Sequence, residues 1–461
     1  MRIAMLAWES LHSILVGGVG VHVSELSRAL ASDGHDVHVF TRSANGHHDV
    51  ARIDDVTYHR YSIGTSPDLV EDTDRMCAAF VDGMHKDERR RGRFDIVHGH
   101  DWLTTRALTR LKQGGSRRCV FSLHSTEYGR CGNVHWEGRS RPVRDRELEG
   151  ACLADKVLAV SRVFADEVRR IYGVPKSKMH VVYNGIDVRR FDIPVDVGAV
   201  KHRYGLGVMD PTVLFCGRMA WQKGPDLLLE AIPPLLAYYP HAKFLFVGDG
   251  EMRRGLKERA RQMGVSHATR FLGFKSGREL VELYKCCDAV CVPSRNEPFG
   301  IVVLEAWAAG KPVVVSVNGG PREVVTHGVD GLHIYDNADS VGWGLGTLFM
   351  DFDRAREMGR EGRRHVERRF GWARIAREVG KVYSTLDRRF LKGGLHDDPG
   401  DTQARQRLGG DSQHEGQGGV DSRDSGCREE PAVFSGGPHA VRRSRVLLEA
   451  GLHPAIARRD R

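Results

Sequence analysis

Glu297 and Glu305 bracket the start of an apolar helix, and Arg218 and Lys223 stand together in another loop of the same half of the chain. Two carboxylates and two cations are the groups a polar, anionic small molecule would need. Ala289 to Val292 is an apolar run closed by Pro293, the pattern of a strand buried on both faces. Pro298 turns Glu297 away from helical geometry. Gly300 opens a run through Ile301, Leu304, Glu305 and Ala308 to a stop at Gly310-Lys311-Pro312. Both carboxylates therefore flank a helix N-terminus at the carboxyl end of a strand. Ligands bind open α/β sheets at that location, and free backbone N–H groups there receive anions. The competing reading is a solvated loop Glu and a helix Glu bound to a neighbour, and this stretch alone leaves both open.

The cations occur in Gly217-Arg218-Met219-Ala220-Trp221-Gln222-Lys223-Gly224, directly after an apolar run. Arg forks onto phosphate oxygens and Lys adds a mobile point charge. The run is not a P-loop, because the Gly-Lys-Ser/Thr ending is missing. Gly17-Gly18-Val19-Gly20 lies between the first strand and the first helix, where glycines admit a ligand to the backbone. It is not a dinucleotide fingerprint, since Val23 occupies the third glycine's place. His98-Gly99-His100-Asp101-Trp102 and Leu123-His124-Ser125-Thr126-Glu127-Tyr128 each follow a strand and bring polar groups to the same sheet edge. The His-x-His pair suggests a metal, but the two rings are read here as pointing opposite ways at the strand end, which favours hydrogen bonding to hydroxyls. Asp351-Phe352-Asp353 has the form of a metal–nucleotide grip, yet its place between helices favours a helix N-cap.

Strand and helix patterns alternate around these residues. Strands are predicted at Arg2–Trp8, Asp36–Thr41, Phe94–His98, Arg118–His124, Lys156–Val160 and His180–Tyr183. The helices between them include Val21–Ala31, Trp102–Gln113 and Arg162–Tyr172. The stretch 191–207 loses periodicity and reads as a linker. A second series of strands begins at Thr212 and continues at Ala242, Arg270, Asp288, Pro312 and Gly331. A helix over Asp226–Tyr239 should kink or break at Pro233-Pro234. Alternation of this kind is that of parallel sheets covered by helices. The expected division is a Rossmann-like domain at 1–190, the linker, and a second Rossmann-like domain at 208–370. A helix at 371–392 crosses back to the first, and a disordered tail of disorder-promoting composition follows at 393–461.

A chain of 461 residues with 41% hydrophobic and 28% charged residues suits a two-domain globular protein. The formal charge of +9 fits anionic small molecules or an acidic membrane surface. No basic run carries the interleaved aromatics that stack bases, so nucleic acid is not expected as a partner. The nine cysteines are scattered without paired spacing, which speaks against a metal or disulfide framework. With no signal-like N-terminus and no membrane-length apolar window, the expected location is the cytoplasm or the inner face of the membrane.

Taken in order, these motifs resemble the large retaining glycosyltransferase group that includes glycogen synthases, sucrose-phosphate synthases and bacterial mannosyltransferases. The resemblance runs from Met1 to about Leu386. It rests on Gly17-Gly18, His100-Asp101, Asn184-Gly185-Ile186-Asp187, Gly217-Arg218 with Lys223-Gly224 and, most strongly, the Glu-x7-Glu pattern from Glu297-Pro298-Phe299-Gly300 to Glu305. It implies the α/β GT-B fold, two doubly wound Rossmann-like domains facing each other across a cleft. It also implies a nucleotide-diphosphate sugar as co-substrate with no cofactor and no metal, and a carbohydrate or lipid-linked acceptor. Arg218 and Lys223 would neutralise the diphosphate, and Glu305 would hold the ribose. Glu297 and His124 would contact the transferred sugar. Gly17, Gly18, Gly217, Phe299, Gly300 and Ile301 would line the donor, with His100 and Asp101 near the acceptor. Leu15 stands where glycogen and starch synthases carry Lys before the paired glycines, which weakens the case for α-glucan elongation. The rivals are a non-catalytic sugar-nucleotide-binding module, a phosphorylase with pyridoxal phosphate, and a sugar-nucleotide epimerase of the same fold.

Overall fold

The computed structural model describes residues 1–14, 17–64, 66–115, 117–132, 138 and 140–393, with side chains described to 386. The expected tail from 394 onward lies outside the described residues. In the first lobe, strands β1 (Arg2–Leu6), β2 (Asp36–Arg42), β3 (Asp49–Ile53), β4 (Val56–Tyr61), β5 (Ile96–His100), β6 (Cys119–Leu123), β7 (Lys156–Ala159) and β8 (Met179–Val181) form one sheet. Its order is β3-β4-β2-β1-β5-β6-β7-β8. All neighbours are parallel except the β3–β4 pair. That hairpin was absent from the sequence reading. Its turn residues Asp54 and Asp55 both take left-handed backbone, at φ 49° and 62°, the geometry that matches the twist of two-residue hairpins.

The second lobe is a wholly parallel sheet of β9 (Thr212–Cys216), β10 (Lys243–Val247), β11 (Thr269–Gly273), β12 (Ala289–Val292), β13 (Val313–Ser316) and β14 (Gly331–Ile334) in the order β11-β10-β9-β12-β13-β14. The strand order reverses direction beside β1 in one lobe and beside β9 in the other. The loops leaving those strands therefore reach the crevice where ligands bind doubly wound sheets.

Two features differ from expectation. The helix Pro225–Tyr238 continues without a break through Pro233 and Pro234. Leu228, Leu229, Ile232 and Leu235 are all buried on it, and that packing outweighs the two backbone hydrogen bonds the prolines remove. The stretch read as a featureless linker contains the helix Val197–Arg203, whose N-cap Asp196 accepts a hydrogen bond from Ala199 N–H.

The last helix, Trp372–Gly393, packs on the first-lobe helix Gly18–Ser32. Trp372, Ile375, Val379 and Tyr383 share a core with Ile3, Val23 and Leu26. Ile186 N–H donates to Phe370 O at 2.8 Å where the two passages of chain between lobes run side by side. The cleft is thus framed by two sheets, and the first lobe is completed by the end of the described chain.

Candidate active site between the lobes

On the second-lobe side, the loop after β12 is held rigid before any ligand arrives. Arg295 pairs with both oxygens of Asp226 at 2.9 and 2.6 Å. Gly320 N–H donates to Glu297 O at 2.7 Å. Gly319 must be glycine, since a Cβ there would lie 2.0 Å from Glu297 O. Gly300 takes φ 88° as the N-cap of helix Ile301–Ala308, a conformation that only glycine adopts without strain. The loop delivers a buried Glu297 carboxylate, whose Oε2 accepts from Lys223 Nζ at 2.8 Å and from Ser294 Oγ at 3.3 Å.

Lys223 ends a short turn at Gly224 (φ 64°), where a Cβ would collide with Pro293 O at 2.2 Å. The two loops are therefore locked against each other by backbone contact, and the Lys223–Glu297 pair follows from that lock. Arg218 is exposed, just beyond the end of β9. Glu305 is half-buried one turn into its helix and accepts from Tyr284 Oη at 2.6 Å. Burial raises its pKa, opposed by the Tyr284 hydrogen bond. Phe299 is buried against Tyr183 and Phe370. Of the predicted residues, Lys223 and Glu297 touch, while Glu305 is engaged separately by Tyr284.

The first-lobe side is built differently. Gly17 N–H donates to Glu9 Oε2 at 2.7 Å, and a Cβ on Gly18 would sit 3.1 Å from Ile301 Cδ1, so this loop reaches the other lobe. His98 and His100 do not diverge as the sequence reading supposed. Residues two apart on a strand share a face, and their ring centroids lie 4.3 Å apart. Both are buried. His98 bridges Tyr383 Oη (2.6 Å) and Ser122 Oγ (2.7 Å). His100 Nδ1 is 3.2 Å from His124 Nε2, and His100 Nε2 is buried without a partner. His22, from the first helix, meets the His124 ring edge-on at 4.6 Å and bonds Asn184 Oδ1 through Nδ1 at 2.7 Å. Asp101, buried at φ 58°, accepts from His124 N–H at 2.8 Å.

Burial sets the charge state of the whole group. It drives His22, His98 and His100 well below the ordinary histidine range and His124 down to about 4. The same burial lifts Asp101 to about 6. At neutral pH the imidazoles are uncharged, each with one donor and one acceptor nitrogen, and of the four only His124 is partly exposed. The nitrogens of His22, His100 and His124 lie within 4.8 Å of one another, close enough for three groups of this kind to hold a metal ion. Asp351 caps helix Phe352–Arg369 by accepting from Arg354 N–H at 2.9 Å, the role expected for it.

Sequence reasoning missed His22, Glu9, Ser294 and Tyr284. His22 carried one usable signal: it lies four residues before Leu26, on the face its helix buries. The others left no local trace.

The comparisons agree with this architecture. Residues 199–365 match the family model for glycosyl transferases group 1, and residues 16–190 match that for glycosyltransferase family 4. An uncharacterized glycosyltransferase of Methanocaldococcus jannaschii is 35% identical over 83% of this chain and 98% of its own length. A glycogen synthase of Mycobacterium tuberculosis is 30% identical over 84% and 95%. Among solved structures, sucrose-phosphate synthase from Thermosynechococcus elongatus superposes with a TM-score of 0.71 at 24% identity, covering 84% of this chain and 99% of that one. Anabaena HepE in complex with UDP-glucose superposes with a TM-score of 0.65 at 21% identity, covering 84% and 100%. With two doubly wound lobes and these matches along both, the chain belongs to the GT-B glycosyltransferases of the group 1 and family 4 type.

Proposed function

We propose that the chain moves a hexosyl group from a nucleotide-diphosphate sugar to a hydroxyl of a carbohydrate or lipid-linked acceptor, with retention and without a metal. The observation that carries this reading is the Lys223–Glu297 pair at 2.8 Å on the strand-end edge of the second lobe. Without donor the two charges satisfy each other. When a diphosphate arrives, Lys223 swings to it with Arg218, and Glu297 is released to the hydroxyls of the sugar. Fixed positive charge at the leaving group supplies the stabilisation a divalent cation gives in other transferases. Glu305, aimed by Tyr284, holds the ribose. His124 contacts the sugar from the first lobe, and backbone N–H groups at Phe299, Gly300 and Ile301 face the anion.

In the step itself, the bond from the anomeric carbon to the phosphate oxygen breaks and the acceptor oxygen bonds the same face. The acceptor's proton passes to the departing phosphate oxygen, so no enzyme nucleophile takes part. We assign the acceptor lobe to 1–190, the hinge to 191–207 and the donor lobe to 208–370, with 371–392 crossing back. The place of action is the cytoplasm or the inner membrane face. Among the described residues no helix is long and apolar enough to cross a membrane.

A thermal-shift panel of UDP-, GDP- and ADP-sugars identifies the donor, because a ligand that binds only the folded state raises Tm. The expected product retains the donor's anomeric configuration when read by proton NMR. An inverted anomer overturns the retaining mechanism, and sugar-nucleotide conversion without any acceptor points instead to an epimerase.

A further inference from the structure

Between the two half-sites runs a polar relay. Asn296 directly precedes Glu297 and is buried. Its Oδ1 accepts from Gln222 Nε2 at 3.4 Å, within the loop that carries Lys223. Its Nδ2 donates across the cleft to Glu167 Oε2 at 3.1 Å. Glu167 belongs to the first-lobe helix Arg162–Tyr172, and its other oxygen accepts from Thr126 Oγ1 at 2.8 Å. Thr126 is buried two residues past His124 and caps the turn Glu127–Arg130 by accepting from Gly129 N–H at 2.9 Å. Each carboxylate oxygen of Glu167 thus holds one lobe's site loop.

The seam around the relay is shaped for close approach. A Cβ on Gly129 would fall 2.8 Å from Asn296 Oδ1, and one on Gly132 would fall 2.9 Å from the Trp221 ring. Ser161 Oγ donates to Pro298 O at 2.6 Å at the head of the same first-lobe helix. Only glycines let the His124 loop come this near, and Glu167 is the one half-buried carboxylate of the first lobe set against the Glu297 loop among the described residues.

We propose that Glu167 is a positioning residue that registers the lobes in the closed state, aligning the His124 loop with the Glu297 loop through Thr126 and Asn296. This deepens the function proposed above and rests on it for the meaning of alignment. Closure assembles a split site, so loss of the pin lowers the rate of the chemical step more than donor binding, whose contacts lie mainly in the second lobe.

The test compares E167A, N296D and the pair N296D/E167Q. E167A removes both bonds; its kcat falls about tenfold, the cost of roughly one charge-assisted hydrogen bond, while donor KM and Tm stay near wild type. N296D sets two carboxylates against each other and falls at least as far. N296D/E167Q restores the relay and recovers most of kcat, because the amide introduced on the helix donates to the carboxylate introduced in the loop and still accepts from Thr126 Oγ1. Trp221 emission, taken as the difference from W221F, shifts to the red in E167A as Gly132 withdraws from the ring. A wild-type kcat in E167A, an unshifted Trp221 emission, or a double variant no better than N296D each overturns the proposal. If the wild type transfers no sugar while the emission shift is present, the functional reading fails and the relay stands.

Discussion

The two walls of the cleft solve opposite electrostatic problems. The second-lobe wall holds full charges: Arg218 exposed, Lys223 quarter-exposed against a Glu297 carboxylate that is only 10% exposed. The first-lobe side holds four imidazoles that burial keeps neutral, with only His124 among them partly exposed, bonded to one another, to Asn184, to Ser122 and to Tyr383. Under the function proposed above, the charged wall would attract and redistribute charge on a diphosphate. Behind the other wall a permanent charge would be costly to bury, and only the partly exposed His124 would meet the sugar. Charged-wall substitutions should therefore appear in rate, and neutral-wall substitutions in stability and pH dependence.

The sharpest way to break this contrast is to remove one member of the charged pair. Lys223→Ala and Glu297→Ala are each expected to cut transfer by about a hundredfold or more, the scale for losing one preorganised group at a developing charge. Steady-state transfer rates measure it, and wild-type turnover in either variant would mean the charged wall is not where the reaction is stabilised. Next in size, Tyr284→Phe leaves the Glu305 carboxylate without the hydroxyl that donates to it at 2.6 Å. Donor KM should rise several-fold, matching roughly 1 kcal/mol for one hydrogen bond, with kcat unchanged. A fall in kcat at constant KM would place Glu305 at the reacting centre instead of at the ribose.

The same contrast explains what could be read in advance. The Glu297 loop was legible because its geometry is written locally: Pro298 and Gly300 fix the backbone, and the strand before them is a continuous apolar run. Its partner Lys223 could be seen as a cation beyond a strand end, but the pairing itself depends on Gly224 and Pro293 meeting in space. The histidine group was only half legible, because His22, the His98–His100 pair and His124 come from three separate elements and meet only when β1, β5 and β6 lie side by side. The same limit hid Glu167 and Asn296. The unbroken helix across Pro233-Pro234 shows tertiary burial overriding a strong local signal, and the β3–β4 hairpin shows an edge strand too weakly patterned to stand out.

The smallest expected effect concerns the neutral wall and pH. A histidine whose folded pKa lies below its unfolded value stabilises the fold above about pH 6.5, and that contribution is lost as the pH falls toward the folded value. His124 is set at about 4, and His22, His98 and His100 shift the same way through burial. Asp101 and Glu147, which burial raises to about 6 and about 7, act in the opposite sense, Glu147 against the lowering pull of Arg130 and Tyr172. Their contribution is present at low pH and lost as the pH rises through those values. Between pH 7 and 5 four groups lose stability and two regain some, so Tm should fall by about 5 °C or more on acidification. Glu147→Gln removes one of the opposing groups, since its amide cannot ionise, and the acid-side fall should steepen relative to wild type. A Tm that is flat or rising from pH 7 to 5 would show that the histidine group can take up protons while folded, and the account of it as a buried neutral cluster would then be lost.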